Sequence, residues 1–203
     1  MAHEGPGVTE HIKERTQRIA ALGFVAFALD LYGVANPTLD EAKSFVQALR
    51  ADLPELRGRT EAALNVLKAE ASVDKARLAG VGFCFGGTAV LELARSGADI
   101  GGAVGFHAGL DASRPGDAAD IRGRVLVCLG ADDPIITGEK RRAFAEEMTA
   151  GGVDWQMHVD GGAGHSFTNK DIDAWNFPGF AYTASADARS WAAMRAFFGE
   201  LFA

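Results

Sequence analysis

Between residues 78 and 89 the chain reads Leu-Ala-Gly-Val-Gly-Phe-Cys-Phe-Gly-Gly-Thr-Ala, and few backbones can accommodate that run. It begins as a short apolar segment of the kind that forms a buried strand. It then passes through Gly-x-Cys-x-Gly-Gly and continues over residues 90–95 with helical patterning. A strand, a tight turn and a helix with a nucleophile at the apex make a nucleophile elbow. The apex residue takes a strained backbone conformation, and Gly82 and Gly86, on either side of Cys84, leave room for the turn. The Cys84 side chain is then held over the carboxyl edge of the sheet. There the N–H groups and positive end of the following helix favour a thiolate. A buried structural cysteine is the plainer reading of a lone Cys, but it leaves the flanking glycines and the strand-to-helix order without a reason. A phosphate loop would need a Gly-Lys-Ser/Thr ending, and Gly82-x-x-x-Gly86-Gly87 lacks dinucleotide spacing.

Periodicity organises the remainder. Residues 8–22 read as a helix that Thr9 can cap, with Ile12, Arg15, Ile19 and Leu22 along one face. Residues 24–29 are continuously apolar, as expected of a strand buried on both faces. A loop over 30–37 leads to a helix over 38–50 capped by Thr38, and Pro54 opens another running to residue 71. Further buried strands are expected over 102–106 and 125–130, a helix over 138–150, and an alternating strand nearer an edge over 153–159. Residues 111–123 read as a polar loop with one helical turn, and 160–185 as a long loop rich in Gly and aromatics. The last helix, 186–202, carries Trp191, Met194, Phe198 and Leu201 at core spacing, which reads as packing. Strands alternating with helices specify an α/β fold: a mainly parallel sheet with helices on both faces and a site at the carboxyl ends of the strands. No repeat or linker interrupts the chain, so residues 1–203 read as one domain.

Bulk properties narrow the function classes. A formal net charge of −7 without a basic cluster disfavours nucleic acid and anionic membranes as partners. No apolar run reaches the roughly 20 residues that span a bilayer, and the first residues lack the basic start and apolar stretch of a signal peptide. Cys84 and Cys128 fall in different strand-like runs, unsuited to a structural disulfide, so a reducing, cytoplasmic setting is expected. The histidines show no metal-ligand spacing and HExxH is absent, so neither a metal nor a cofactor is expected.

Partners for Cys84 should lie in loops at strand carboxyl ends. One such loop is Ala131-Asp132-Asp133-Pro134, and another is Gly161-Gly162-Ala163-Gly164-His165-Ser166-Phe167. The order is therefore nucleophile, acid, base, as in α/β-hydrolase triads. His165 would take the nucleophile's proton and return one to the leaving group, and the Asp would hold the imidazole tautomer. Asp132 and Asp133 compete for that role; Asp133 is favoured because it lies one residue deeper in the loop. His107 ends a strand on the same edge and either lines the pocket or serves a hydrogen-bonded structural role. Cys128, inside a buried strand, reads as inert.

These residues together resemble the dienelactone hydrolase family of α/β hydrolases. The resemblance rests on His3-Glu4-Gly5, Leu29-Asp30-Leu31-Tyr32-Gly33, the Gly82–Gly87 elbow, Gly130-Ala131-Asp132-Asp133-Pro134 and Gly164-His165-Ser166-Phe167. The cysteine elbow is its specific part. The resemblance implies the α/β-hydrolase fold and hydrolysis of small-molecule esters or lactones through a thioester on Cys84, with Asp133 and His165 completing the triad. It also implies a thiol-activating carboxylate at Glu4 and an oxyanion hole from the backbone N–H groups of Phe85 and Gly5. Taken without the resemblance, Glu4 reads as a frayed terminal acid.

Two departures from the family pattern stand out. The family has strands before its His-Glu-Gly segment, which here starts at residue 3, so the first N-terminal strands are expected to be lacking. A misassigned start, a truncation and a gap filled by another chain all fit that observation. Dienelactone-specific members hold a substrate carboxylate with arginines, and none occurs over 32–37 or 165–188. Trp175 and Phe177, with Phe167, Phe180 and Tyr182, are candidates for an apolar acyl pocket or for a cover over the core. The alternatives to an esterase are a non-catalytic or truncated binding protein and a thiol amidase or peptidase. Monomer and homodimer both remain open.

Overall fold

The structure is a computed structural model and describes residues 1–203. In chain order it contains α1 (Glu10–Ala20), α2 (Leu39–Ala51), α3 (Leu53–Ala69), β1 (Ala79–Phe83), α4 (Phe85–Arg95), β2 (Gly102–Phe106), β3 (Arg124–Gly130), α5 (Gly138–Ala150), β4 (Trp155–Asp160) and α6 (Ala184–Leu201). Short 3₁₀ turns at Asp117–Asp120 and Ile172–Trp175 interrupt the two long loops. The strands pair in the order β1-β2-β3-β4, all parallel. Parallel strands need crossovers that cover both faces, which is why β1 to β3, apart from Arg124 at the start of β3, are apolar and not alternating.

The sheet separates two cores. Val125, Val127 and Leu129 of β3 face Val90, Leu91 and Leu93 of α4 and Phe144 and Met148 of α5. Leu126 and Cys128, the alternate residues of the same strand, face Ile12 and Ile19 of α1 and Met194, Phe197 and Phe198 of α6. Trp155 and Met157 of the edge strand β4 pack on the first core, as their alternation suggests. The Thr38 capping box with Glu41 starts α2, and Asp52 caps α3 by accepting from the Glu55 N–H. Thr9 occupies the first position before α1 but makes no side-chain cap bond. Leu22 is exposed because α1 ends at Ala20, so Leu22 lies past its last turn.

Residues 24–29 do not form the expected strand. Only Leu29 is bridged, to Ala2, which in turn bridges Gly82 of β1. The Met1 amine donates to the Phe27 carbonyl at 2.8 Å, and the Leu29 N–H donates to Met1 O at 2.8 Å. On the other side Ala2 N–H donates to Val81 O at 2.8 Å and Phe83 N–H donates to Ala2 O at 3.2 Å. A strand exists by virtue of its neighbour's ladder, and residues 24–26 have none. They border a trough of about 390 Å³ lined by side chains such as Leu64, Leu67, Leu78 and Val90, and Val25 is left exposed. No helix is long and apolar enough to cross a membrane.

Candidate active site

The elbow forms as its glycines require. Cys84 sits between β1 and α4 at φ 50°, ψ −116°, a conformation rare for a residue with a side chain. A Cβ on Gly82 would overlap the Gly86 carbonyl, and one on Gly86 would overlap the backbone of Ala2 and His3. The turn therefore admits only glycine at both places. Phe85 is the first residue of α4, so its N–H has no intrahelical acceptor and lies at the positive helix end beside Cys84.

His165 Nε2 lies 3.1 Å from Cys84 Sγ, and His165 Nδ1 lies 2.7 Å from Asp133 Oδ2. Asp133 Oδ1 accepts the Ile135 and Ile136 N–H groups at 2.7 and 3.0 Å, which fixes the carboxylate plane. Asp133 and not Asp132 is the carboxylate at the imidazole; Asp132 is exposed. Burial alone would push the Asp133 pKa up, but the bond and charge of His165 and the two amides outweigh it and hold it low. For His165, burial acts downward, while the negative charges of Cys84 and Asp133 and their hydrogen bonds raise it to about 10. Cys128 is buried and its thiol pKa is pushed far up by desolvation.

Cys84 opens onto a cavity of about 260 Å³. Trp175, Phe177 and Phe180, stacked edge-on in succession, line it together with Leu39 and Val46 of α2, Glu4, Gly5 and Ser166. The larger trough beside residues 24–29 contains none of the Cys84, Asp133 or His165 side chains. Phe167 belongs to the core instead, and the Tyr182 hydroxyl bonds Asp187 at 3.4 Å.

Glu4 is buried rather than frayed. Its Oε2 accepts from Asn169 Nδ2 at 2.6 Å, and its Oε1 has no partner. Burial acts upward on Glu4, but His11, His107 and Ser166 outweigh it and lower the pKa to about 2. The Gly5 carbonyl accepts the Tyr32 hydroxyl at 2.6 Å, while its N–H makes no protein hydrogen bond. Of the two readings of His107, the structure shows the hydrogen-bonded one and not the pocket lining. His107 is fully buried behind the elbow, because its Nδ1 accepts the Cys84 N–H at 3.1 Å and its Nε2 meets Thr168 Oγ1 at 2.9 Å.

Several residues at the site carry no signature in the sequence. Thr168 Oγ1 lies 3.2 Å from His11 Nε2, Asn169 holds Glu4, and Ser166 follows the base at φ 53°. Arg15 gave one usable signal: a charge at core spacing between Ile12 and Ile19 demands a buried partner, which is Asp187 at 2.8 Å.

A family model described as the dienelactone hydrolase family matches residues 1–202. An uncharacterised protein of Caenorhabditis elegans is 37% identical over 152 residues, covering 73% of this chain and 96% of its own length. A Bradyrhizobium protein named a probable 2-oxo-3-(5-oxofuran-2-ylidene)propanoate lactonase is 29% identical over 180 residues, 83% of this chain and 72% of its own length. A solved structure of a dienelactone hydrolase-like promiscuous phosphotriesterase from metagenomic libraries superposes with a TM-score of 0.95 at 44% identity. That superposition covers 98% of this chain and 84% of the other. A match along residues 1–202, joined to a near-complete superposition, shows that the chain belongs to the dienelactone hydrolase family of α/β-fold hydrolases.

Proposed function

We propose that the protein hydrolyses carboxylic esters or lactones through a thioester on Cys84. The observation that carries this reading is the His165 ring, 2.7 Å from Asp133 on one nitrogen and 3.1 Å from the Cys84 sulfur on the other, at the inner end of an open cavity. Asp133 and the Cys84 sulfur, on either side of the ring, raise the His165 pKa to about 10, which favours the imidazolium once the thiol proton has moved to it. The thiolate attacks the acyl carbon, and the carbonyl electron pair moves to an oxyanion taken up by the N–H groups of Phe85 and Gly5. As the tetrahedral species collapses, His165 gives its proton to the departing alkoxide and the acyl group stays on sulfur. A water then loses a proton to His165 and attacks the thioester, and the acid leaves with Cys84 restored as thiolate. In a lactone the alkoxide remains tethered to the acyl group. Cys84 and Cys128 are both free thiols, in keeping with a reducing cytoplasmic setting.

The cavity argues for neutral, apolar acyl groups. Its walls are aromatic and aliphatic, its one cation is Lys43 of α2, and the buried Glu4 carboxylate disfavours an anion at the inner end. A second reading, turnover of neutral phosphotriesters by the same nucleophile, draws on the name of the 44% identical structure.

Cys84→Ala tests both. It is expected to lower kcat/KM on short activated esters by roughly 10³-fold or more and to abolish any phosphotriester turnover. Unchanged ester turnover in that variant would remove the thioester reading. Turnover of amides but not esters by the parent protein would favour a thiol amidase.

A further inference from the structure

His107 is a fully buried imidazole that the mechanism leaves unused, and hydrogen-bond donors fix its state. An amide N–H can only donate, so the Cys84 N–H at 3.1 Å requires a lone pair on His107 Nδ1. The ring proton then lies on Nε2 and points at Thr168 Oγ1, 2.9 Å away. Having accepted that proton, the Thr168 hydroxyl donates its own to His11 Nε2 at 3.2 Å. The far end agrees independently: Arg15 Nε also donates to His11 Nε2, at 3.3 Å, so that nitrogen is an acceptor from both sides. His11 Nδ1 then faces Glu4 Oε2 at 3.3 Å. Every bond from the Cys84 amide to His11 runs in one direction, with no donor facing a donor.

We propose that His107 is a positioning residue: as a neutral imidazole protonated on Nε2, it bolts the nucleophile's elbow to the loop that carries the base. This rests on Cys84 and His165 acting as nucleophile and base. The backbone explains what the bolt holds. Cys84 sits at φ 50°, and its N–H is shared between the His107 ring and the Phe106 carbonyl at 2.9 Å. Thr168 is three residues past His165, and its carbonyl accepts from the buried Arg15 guanidinium. Movement of the His107 ring therefore displaces sulfur and imidazole relative to each other, and such misalignment costs rate more than substrate affinity. Burial also favours a neutral ring here, and it outweighs the opposing pulls of the charges around it, with Glu4 and Asp133 favouring the proton and His165 and His11 opposing it. The titratable groups facing His107 are Glu4, His165, His11 and Asp133, and His165 lies edge-on at 5.3 Å between ring centroids. A second imidazolium would repel the one on His165, and its Nδ1–H would face the Cys84 N–H.

The first test is nitrogen NMR of the imidazole rings in the intact protein, with the His107 signals assigned by their loss in His107→Phe. The expected signature is an unprotonated Nδ1 and a protonated Nε2 throughout about pH 6 to 8. An Nδ1–H tautomer or an imidazolium overturns the proposal. The second test compares Thr168→Val with Thr168→Ser in ester turnover and in the rate of Cys84 alkylation by iodoacetamide. Val is expected to lower kcat by about tenfold or more with KM within about threefold, and to slow alkylation. Ser is expected to recover most of both losses. Parent-like kcat and alkylation in the Val variant overturns the proposal, as does a loss that Ser fails to recover. The tautomer and the alkylation rate do not depend on ester turnover. A protein that fails to cleave esters yet meets both expectations would refute the hydrolase reading while leaving the bolt standing.

Discussion

Asp132 and Asp133 share one loop, yet only Asp133 reaches the His165 ring. The Ile135 and Ile136 N–H groups turn the Asp133 carboxylate inward, whereas the Asp132 side chain points to solvent. Asp133→Asn keeps the shape of the side chain but gives His165 Nδ1 an amide that is free to donate, which favours the wrong tautomer. It is expected to lower kcat by about 10³- to 10⁴-fold, with Asp132→Asn within about twofold of the parent, as steady-state ester kinetics would show. Comparable losses in both variants would contradict this assignment. At this scale the convergence of Cys84, Asp133 and His165 was legible, because all three follow strands and so reach the same sheet edge. Of the two neighbouring carboxylates the sequence favoured Asp133, and Asp133 is the one that meets the imidazole, its plane set by two amides. His107, His11 and Thr168 were not legible as a set. Their contacts join positions 61 and 157 residues apart, and neither Thr nor a lone His advertises a partner at such range.

Glycines in the elements differ in what surrounds them, not in identity. A Cβ on Gly82 meets the Gly86 backbone, which cannot give way without moving the apex, whereas a Cβ on Gly199 of α6 meets nothing within 4 Å. Gly82→Ala is expected to cost about 3 kcal/mol or more, or to prevent folding. Gly199→Ala is expected to stabilise by about 0.5–1 kcal/mol, since a helix interior favours Ala. Chemical denaturation of the two variants measures both, and a tolerant Gly82 would mean that the elbow is not the rigid turn described. The elbow, the parallel strands and their crossover helices were readable from apolar run length and turn residues. Residues 24–29 were not: their apolar run suggested a strand buried on both faces, yet none of the six is fully buried and only Leu29 has a neighbour to pair with. The closing helix starts at Ala184 rather than Ala186, the kind of end effect that periodicity cannot resolve.

The stability of the whole molecule should carry the imprint of its buried titratable groups. Desolvation lowers His107 to about 3 from 6.5, so the unfolded chain takes up its proton first, and stability falls as pH drops from about 6.5 towards 3. Glu4, lowered to about 2 from 4.5, adds stability above about 4.5 that is lost as pH falls through 2. His165 has the opposite sign. Its raised pKa contributes fully below 6.5, and that contribution fades as pH rises towards 10. Thermal melting should therefore peak near pH 6.5. In Cys84→Ala the basic limb should flatten, because the charge that raises His165 is gone. An unchanged basic limb would contradict the ion pair. The most direct test of the chemistry is intact mass after brief mixing with a slowly hydrolysed ester, followed by peptide mapping. A thioester intermediate predicts a transient gain of one acyl group on the peptide carrying Cys84, absent from Cys84→Ala. Steady turnover with no adduct at any time, or an adduct confined to another residue, would contradict it.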